Sequence, residues 1–260
     1  MSVARLPARH VARLASFARR LRDDRGGLAL LEFAFTAPLL LGAGLYGVET
    51  ANLALVNLRV SQITLNLADD AARVGDTPVN ATKANVQQLR EVDVNDVLQA
   101  ARYQGGGINL TTNGRIIISS LENVKQPNYD LTAVQRIHWQ RCLGKMGQRA
   151  ADAAYNSHYG TATPMATAGT DATAANAGTF QLGGMGDANT TVNAPPDGAV
   201  MFIEVNYQYQ PLISAYLTAG GNRIHYIASF IVRDNRDFSQ LFNPVTTPAT
   251  KPSTCDLYSA

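Results

Sequence analysis

The sequence predicts an α+β protein in which one long N-terminal helix packs on a small antiparallel sheet. Two observations predict this fold class. An apolar run over residues 28–48 continues, without a stop signal, into apolar residues at helical spacing. Segments 115–121, 199–209 and 223–233 have the clustered or alternating apolar residues of strands. With 260 residues and 46% hydrophobic content, the chain can form a head domain and a helix, which excludes wholesale disorder.

The first 27 residues form a basic leader. They contain seven arginines and two aspartates, a local charge of +5 in a chain whose formal charge is +2. A positive segment beside an apolar span stays on the cytoplasmic side of a membrane, so we expect the rest of the chain to be exported. The charge is therefore assigned to a leader and not to a nucleic-acid-binding arm.

The apolar run from Leu28 to Val48 has 21 residues, close to the roughly 20 that cross a bilayer as a helix. It contains one carboxylate, Glu32. Burying a charge in the hydrocarbon layer costs at least roughly 2.5–3.5 kcal/mol, so this acid needs a partner. Cleavage after Gly27 would create an amino group at Leu28, about one helical turn before Glu32. We predict an ion pair between that amine and Glu32 of the same chain or of a neighbouring subunit.

One proline and three glycines lie in the middle and second half of the run. Pro38 removes one helical hydrogen bond and predicts a kink, which membrane helices tolerate. The glycines predict a small-residue surface for close helix packing. The same composition also fits the apolar region of a secretory signal peptide that is cut near Ala43 or Ala54. The glycines are Gly42, Gly44 and Gly47.

The helix is predicted to continue as an amphipathic helix beyond the apolar run. Gly75 begins the stop signal, so the simplest interpretation is one helix from Leu28 to Val74, about 70 Å long, within a segment 28–75. We expect its first half to lie in a membrane and its second half to pack under the head. The apolar stripe comprises Leu53, Val56, Val60, Ile63, Leu67, Ala71 and Val74.

Residues 76–260 are predicted to form an exported α+β head. A second helix is expected over residues 83–103, followed by a hairpin that joins residues 108–111 to the isoleucine-rich strand. Strands 199–209 and 223–233 alternate polar and apolar residues, so we expect an antiparallel pair with one solvated face. The other face would be covered by the amphipathic half of the long helix.

Two segments of the head have unusual composition. Residues from about 150 to 198 are rich in alanine, threonine, glycine and asparagine, and we expect a long, exposed, flexible insertion that is partly disordered. It is either a tolerated insertion or a surface for partner contacts. The tail, residues 243–260, contains three prolines and is expected to form an extended strap.

The leader and apolar helix resemble a known family. A glycine, a cleavage point and an apolar helix with glutamate at the fifth mature position are typical of type IV pilins and pseudopilins, and Gly27 and Glu32 match that pattern. The Glu32-Phe33 pair and the continuation to Glu49 resemble the TadE-like pseudopilins of tight-adherence (Flp-type) pili. The resemblance covers about residues 25–50.

The resemblance implies a structural function in adhesion. It implies a minor pilin that a prepilin peptidase cuts after Gly27, and that assembles with a major Flp-type pilin, other pseudopilins and an inner-membrane assembly platform. It also implies a pilin-like α+β head that is periplasmic while the helix spans the inner membrane, in contact with lipid. The subunit would then move to a pilus or the cell surface.

Cys142 and Cys255 are the only cysteines. In an oxidising compartment they would form one disulfide, and closing a loop of this length contributes on the order of 4 kcal/mol in the entropy model. Free buried thiols and a zinc site remain as alternatives. His138 is near Cys142 in sequence, but His158 falls in the insertion and His225 on a strand, so we expect neither a metal site nor a cofactor.

Nothing in the sequence indicates an enzyme. It has no Gly-x-Ser-x-Gly elbow and no His-Glu-x-x-His motif, and its four histidines are scattered. Two alternatives to a cleaved pilin remain. The helix is an uncleaved anchor for a cell-envelope binding module, or a secretory signal is removed and the head is a free periplasmic protein such as a hydrolase.

Overall fold

The computed structural model describes residues 16–20, 22–23, 26–78, 85–126, 128–162, 169–213, 223–244 and 247–260. These residues belong to two compact units, one that ends at Ala51 and one that begins at Asn52. The predicted leader lies largely outside the described residues. Parts of the insertion, of the predicted second helix and of the tail also lie outside them.

The long N-terminal helix is confirmed. Helix α1 spans Gly26–Arg73, 48 residues, and continues through Pro38. Within the described chain it is the one helix long and apolar enough to cross a membrane, with an 18-residue window of mean hydropathy 1.8 in which no residue is buried. These properties fit a membrane anchor and a signal sequence equally.

In the second unit, the predicted stripe of α1 packs against the sheet. Val60, Ile63 and Leu67 are at most 2% exposed, and Leu53 and Val74 are partly buried against the same core. The prediction of a buried face is therefore confirmed. At the end of α1, Arg236 Nη2 donates hydrogen bonds to the carbonyl oxygens of Ala72 (3.2 Å) and Val74 (2.9 Å), where a cation also interacts favourably with the helix dipole.

The second helix begins later than the sequence predicts. Helix α2 spans Glu91–Gln104, and the backbone N–H of Arg90 donates to Asp93 Oδ2 at 3.0 Å. Residues 87–89, which were predicted to be helical, are extended because their backbone groups bond elsewhere. Residues 87–89 exchange backbone hydrogen bonds with Asp76 and with residues 235–242. Helix propensity in this segment is thus overridden by tertiary hydrogen bonds.

A small antiparallel sheet forms the head, as predicted. The strand order is β3-β2-β1-β4-β5, and every neighbouring pair is antiparallel. The predicted pairing of the last two strands is confirmed. The strands are β1 (Gly114–Val124), β2 (Val134–Leu143), β3 (Thr179–Phe180), β4 (Gly198–Gln208) and β5 (Arg223–Ile231).

The predicted hairpin between residues 108–111 and the isoleucine-rich strand is wrong. A 3-10 turn (Gly106–Ile108) and a short helix α3 (Leu110–Asn113) occupy this position. Asn109 between them has φ 51°, a left-handed conformation that turns the chain out of any strand. Strand β1 pairs instead with β2 and β4.

The inner face of the sheet and α1 enclose the main core. The apolar residues that were predicted to face inward on β4 are all buried there, with exposures of 2% or less. They are Met201, Ile203, Val205, Tyr207 and Tyr209. The alternation of this strand therefore predicts its orientation correctly.

The outer face of the sheet is covered, contrary to the prediction of a solvated face. Tyr155, Ala162, Met185 and Ala194 of the insertion are buried, and the last three pack in a second core that includes Phe202. The prediction of an exposed insertion is thus wrong for these described residues. Flexibility of the insertion remains a prediction.

Polar side chains of the sheet hold this insertion, which explains how a segment poor in large apolar residues can pack. Gln140 bonds the backbone of Gly160 (2.9 Å) and Ala162 (3.1 Å). Gln135 bonds the backbone of Gln181 (2.6 Å) and Ala194 (2.8 Å). Polar side chains on the sheet face that was predicted to be solvated therefore hold the insertion by hydrogen bonds.

The disulfide between Cys142 and Cys255 is present. It joins the end of β2 to the tail, which makes a turn at the disulfide, where the backbone N–H of Leu257 donates to Thr254 O at 3.1 Å. The backbone N–H of Cys142 donates to Ser253 O at 2.7 Å, and that of Gly144 to Ser259 O at 2.8 Å. Buried Arg115 also donates to the carbonyl oxygens of Cys255 and Leu257, so the tail is held by side-chain and backbone bonds as well as by the disulfide.

Candidate functional site

The predicted processing residues lie at the beginning of α1, in the first unit. Gly27, Leu28 and Glu32 are all exposed, and Leu28 is 62% exposed. Leu28 and Glu32 are four positions apart, about 6 Å along a helix axis. The helical geometry therefore places the predicted new amine within one turn of the carboxylate.

The glycines of this segment are not required by packing among the described residues. A Cβ added at Gly27, Gly42, Gly44 or Gly47 would have no neighbouring atom within 4 Å. These positions could therefore carry larger side chains without a clash inside the described chain. Packing among the described residues therefore gives no reason for glycine at these positions.

A second candidate site lies in the other unit, on the outer face of the sheet. We call His158, Glu204 and His225 the outer-face cluster. They belong to the insertion, to β4 and to β5 respectively. Each offers one ligand atom, and these atoms lie within 4.8 Å of one another. Glu204 is buried, with 1% side-chain exposure, whereas the His158 side chain is 34% exposed.

The Glu204 carboxylate fastens the insertion to β4. Its Oε1 accepts hydrogen bonds from the backbone N–H of His158 at 2.9 Å and from His158 Nδ1 at 2.8 Å. Its Oε2 accepts from the Ser157 hydroxyl at 2.9 Å. A buried carboxylate requires such donors, and three of them come from two consecutive residues of the loop.

His225 is oriented by Asn206. Its Nδ1 donates to Asn206 Oδ1 at 2.8 Å, and the Asn206 amide nitrogen donates to Tyr155 O at 3.2 Å, which fixes the orientation of the amide. Burial lowers the pKa of His225, while the nearby Glu204 opposes this shift. The neutral imidazole is therefore favoured, with its lone pair on Nε2.

Tyr159 and Arg223 border the cluster. The Tyr159 hydroxyl lies 2.6 Å from Asp187 Oδ1 and 3.1 Å from His225 Nε2, so its single proton can be donated to either acceptor. Burial, and secondarily the hydrogen bond to Asp187, raise the pKa of Tyr159, so the phenol keeps its proton. Arg223 is exposed, and its Nη1 donates to His158 Nε2 at 2.8 Å.

This cluster is not visible in the sequence, because its three residues come from separate elements with no fixed spacing. His158 and Glu204 are 46 positions apart. The interpretation of the insertion as exposed also separated His158 from the sheet. The one usable signal is Glu204, a carboxylate in the middle of a strand that the structure buries.

Another histidine forms a similar pair elsewhere in the head. His138 Nδ1 donates to Glu122 Oε2 at 2.8 Å, and both side chains are at most 2% exposed. This pair is not part of any group of three or more potential metal ligands within the described residues. It is therefore a natural comparison for the outer-face cluster.

Comparison of the chain with protein-family models, with curated proteins and with solved structures finds no match. The functional interpretation therefore depends on the residues and on their geometry.

Proposed function

We propose that this chain is a membrane-anchored structural subunit of the pseudopilin class. Within that class, the proposal is a TadE-like minor pilin that takes part in assembling a tight-adherence pilus. A prepilin peptidase cuts the precursor after Gly27. The mature helix is inserted in the inner membrane until the subunit is incorporated into, or beneath, the pilus.

Glu32 is the observation that carries the proposal. It is the one carboxylate between Leu28 and Val48, and it is exposed on a helix whose neighbouring side chains are apolar. A signal peptide has no need of such an acid, and a simple anchor is weakened by it. An amine created at Leu28 gives the acid a partner at nearly the same depth in the bilayer.

The open space around Gly27 supports a processing function. Since no atom lies within 4 Å of an added Cβ, the described chain gives no internal reason for glycine there. A peptidase that brings its catalytic groups against the backbone does give one, because any side chain would obstruct the approach. Gly42, Gly44 and Gly47 are similarly available for contact with neighbouring helices.

The head is consistent with export. Its disulfide fits an oxidising compartment, and its sheet packs on the second half of α1, the arrangement that the resemblance to pseudopilins implies. In this proposal the head is periplasmic and contacts the other pilins.

Two variants test the proposal in cells that carry the corresponding pilus system. Gly27→Leu should block removal of the leader, so an immunoblot should show only the precursor. Glu32→Ala should leave cleavage largely intact and reduce the amount of pili sheared from the cell surface, because the amine then has no partner during extraction from lipid.

Gly44→Leu is the matched control for cleavage. Gly44 lies in the same helix, and an added Cβ there is equally unobstructed, so this variant should be processed normally. Normal processing of Gly27→Leu together with normal piliation in Glu32→Ala would refute the proposed function.

A further inference from the structure

We propose that the outer-face cluster is a binding site for one divalent transition-metal ion, with Zn²⁺ as the preferred class. His158, Glu204 and His225 would be its protein ligands. Two imidazoles and one carboxylate form a donor set that suits zinc, with water completing the coordination. Calcium and magnesium prefer all-oxygen sites and should not compete. The site does not depend on the proposed pilus function.

The distances within the cluster are close to those of a coordination sphere. His158 Nδ1 and Glu204 Oε1 are 2.8 Å apart, whereas two ligands with zinc bonds of about 2.0–2.1 Å at the tetrahedral angle are about 3.3–3.4 Å apart. All three ligand atoms lie within 4.8 Å of one another. Closing on a metal therefore requires a movement of only about 1.5 Å, which a loop residue such as His158 can supply.

The surroundings of His225 match those of a ligating histidine. Metal-binding imidazoles usually donate their second N–H to a fixed oxygen, which sets the tautomer and the ring orientation. Asn206 Oδ1 has this role at 2.8 Å, and Asn206 is itself fully buried.

Arg223 opposes metal binding, and the Tyr159 hydroxyl, 3.1 Å from His225 Nε2, must also move aside. Coordination through His158 Nδ1 moves the single proton of the neutral ring to Nε2, where it faces Arg223 Nη1, another donor, at 2.8 Å. The guanidinium must then leave, and its exposure allows this. Its positive charge also repels a divalent cation, so Arg223 sets the affinity of the site.

Metal binding would join three elements of the head. One ligand lies on the insertion and two lie on neighbouring strands, so an ion would fasten the insertion to the sheet. A ligand that binds only the folded state raises the unfolding temperature, and the stabilisation grows with the logarithm of the ratio of ligand concentration to Kd. The proposal therefore predicts a measurable effect on stability that needs no assay of pilus function.

The test uses the full-length chain in detergent micelles, without a polyhistidine tag and stripped with a chelator. Equilibrium dialysis against Zn²⁺ should give one ion per chain. His158→Gln should weaken binding by more than the roughly 10–100-fold that loss of a merely orienting partner costs. Because His158 is partly exposed, this variant should fold, and circular dichroism verifies that it does.

Two further variants make the test specific. His138→Gln alters the other histidine–glutamate pair and should leave Zn²⁺ affinity unchanged, whereas Arg223→Met should increase it. Zn²⁺ should also raise the unfolding temperature of the wild-type chain but not that of His158→Gln. Absence of bound Zn²⁺ in the wild type, equal affinity in wild type and His158→Gln, or weaker binding in Arg223→Met would overturn the proposal.

Discussion

Individual buried charges link the elements of the head. Arg141 on β2 bonds Glu91 at the start of α2 through both carboxylate oxygens, with Nε at 3.0 Å from Oε1 and 3.1 Å from Oε2. Neither side chain is more than 1% exposed. Such a pair adds little net stability compared with apolar residues, but each partner needs the other, because an uncompensated buried charge is costly.

Glu91→Gln tests whether the buried Arg141 needs the charge of its partner. The variant removes the negative charge and leaves the Arg141 guanidinium buried without compensation. We expect the free energy of unfolding to fall by about 3–5 kcal/mol, measured by urea denaturation followed by circular dichroism.

A surface ion pair provides the control for Glu91→Gln. Arg73 and Asp69 are also in contact, at 2.7 Å, but their side chains are 74% and 35% exposed. Asp69→Asn should change the free energy of unfolding by less than about 1 kcal/mol. If both variants lost the same stability, burial would not explain the importance of the Glu91–Arg141 pair.

Residue-level prediction succeeds where the relevant chemistry is local in sequence. Gly27 and Glu32 are separated by a few positions, so their pattern is visible without a structure. His158, Glu204 and His225 meet only because the insertion folds over β4 and β5. No spacing rule brings a loop residue and two strand residues together, so the sequence could not predict the cluster.

At the scale of elements, α1 has two kinds of surface within the head. Leu67 is 2% exposed and packs in the main core, whereas Leu65, two positions earlier, is 49% exposed. The two leucines have the same helix propensity and differ in environment. They therefore separate packing from intrinsic helix stability.

Alanine substitutions at these two positions test which face of α1 is buried. Leu67→Ala should reduce the free energy of unfolding by about 2–5 kcal/mol, because it leaves a cavity between α1 and the sheet. Leu65→Ala should change it by less than about 1 kcal/mol. Urea denaturation of both variants measures the difference, and equal losses would contradict the assignment of the buried face.

Strands with regular alternation were predicted well, and the strand with buried charges was missed. In the second half of β4, residues 203–208, apolar and polar residues alternate, which indicates both the strand and its inner face. On β2, Arg136, His138 and Arg141 are each about 1% exposed, and these buried polar groups interrupt the apolar pattern. Their partners, such as Asp130 and Glu91, lie elsewhere in the chain and cannot be inferred from β2 itself.

At the scale of the whole molecule, long-range connections hold the head together. The disulfide between Cys142 and Cys255 closes a separation of 113 residues, which in the entropy model contributes about 4 kcal/mol. The pairing was predicted from two cysteines in a chain that is expected to be exported. The packing of the insertion was not predicted, because side chains of the sheet bond its backbone and composition does not report such bonds.

In the proposed function, proteolysis creates the partner of Glu32. The mature chain should therefore begin at Leu28, within the exposed apolar part of α1. An uncleaved anchor would instead retain residues 1–27, and a secretory protein would begin after Ala43 or Ala54.

The first residue of the mature chain distinguishes these three possibilities. It can be identified by amino-terminal sequencing and intact-mass measurement of the chain purified from its native membrane. We predict a single amino terminus at Leu28 and a mass that lacks the first 27 residues. An amino terminus at any other residue would contradict the proposed ion pair and the assignment to the pseudopilin class.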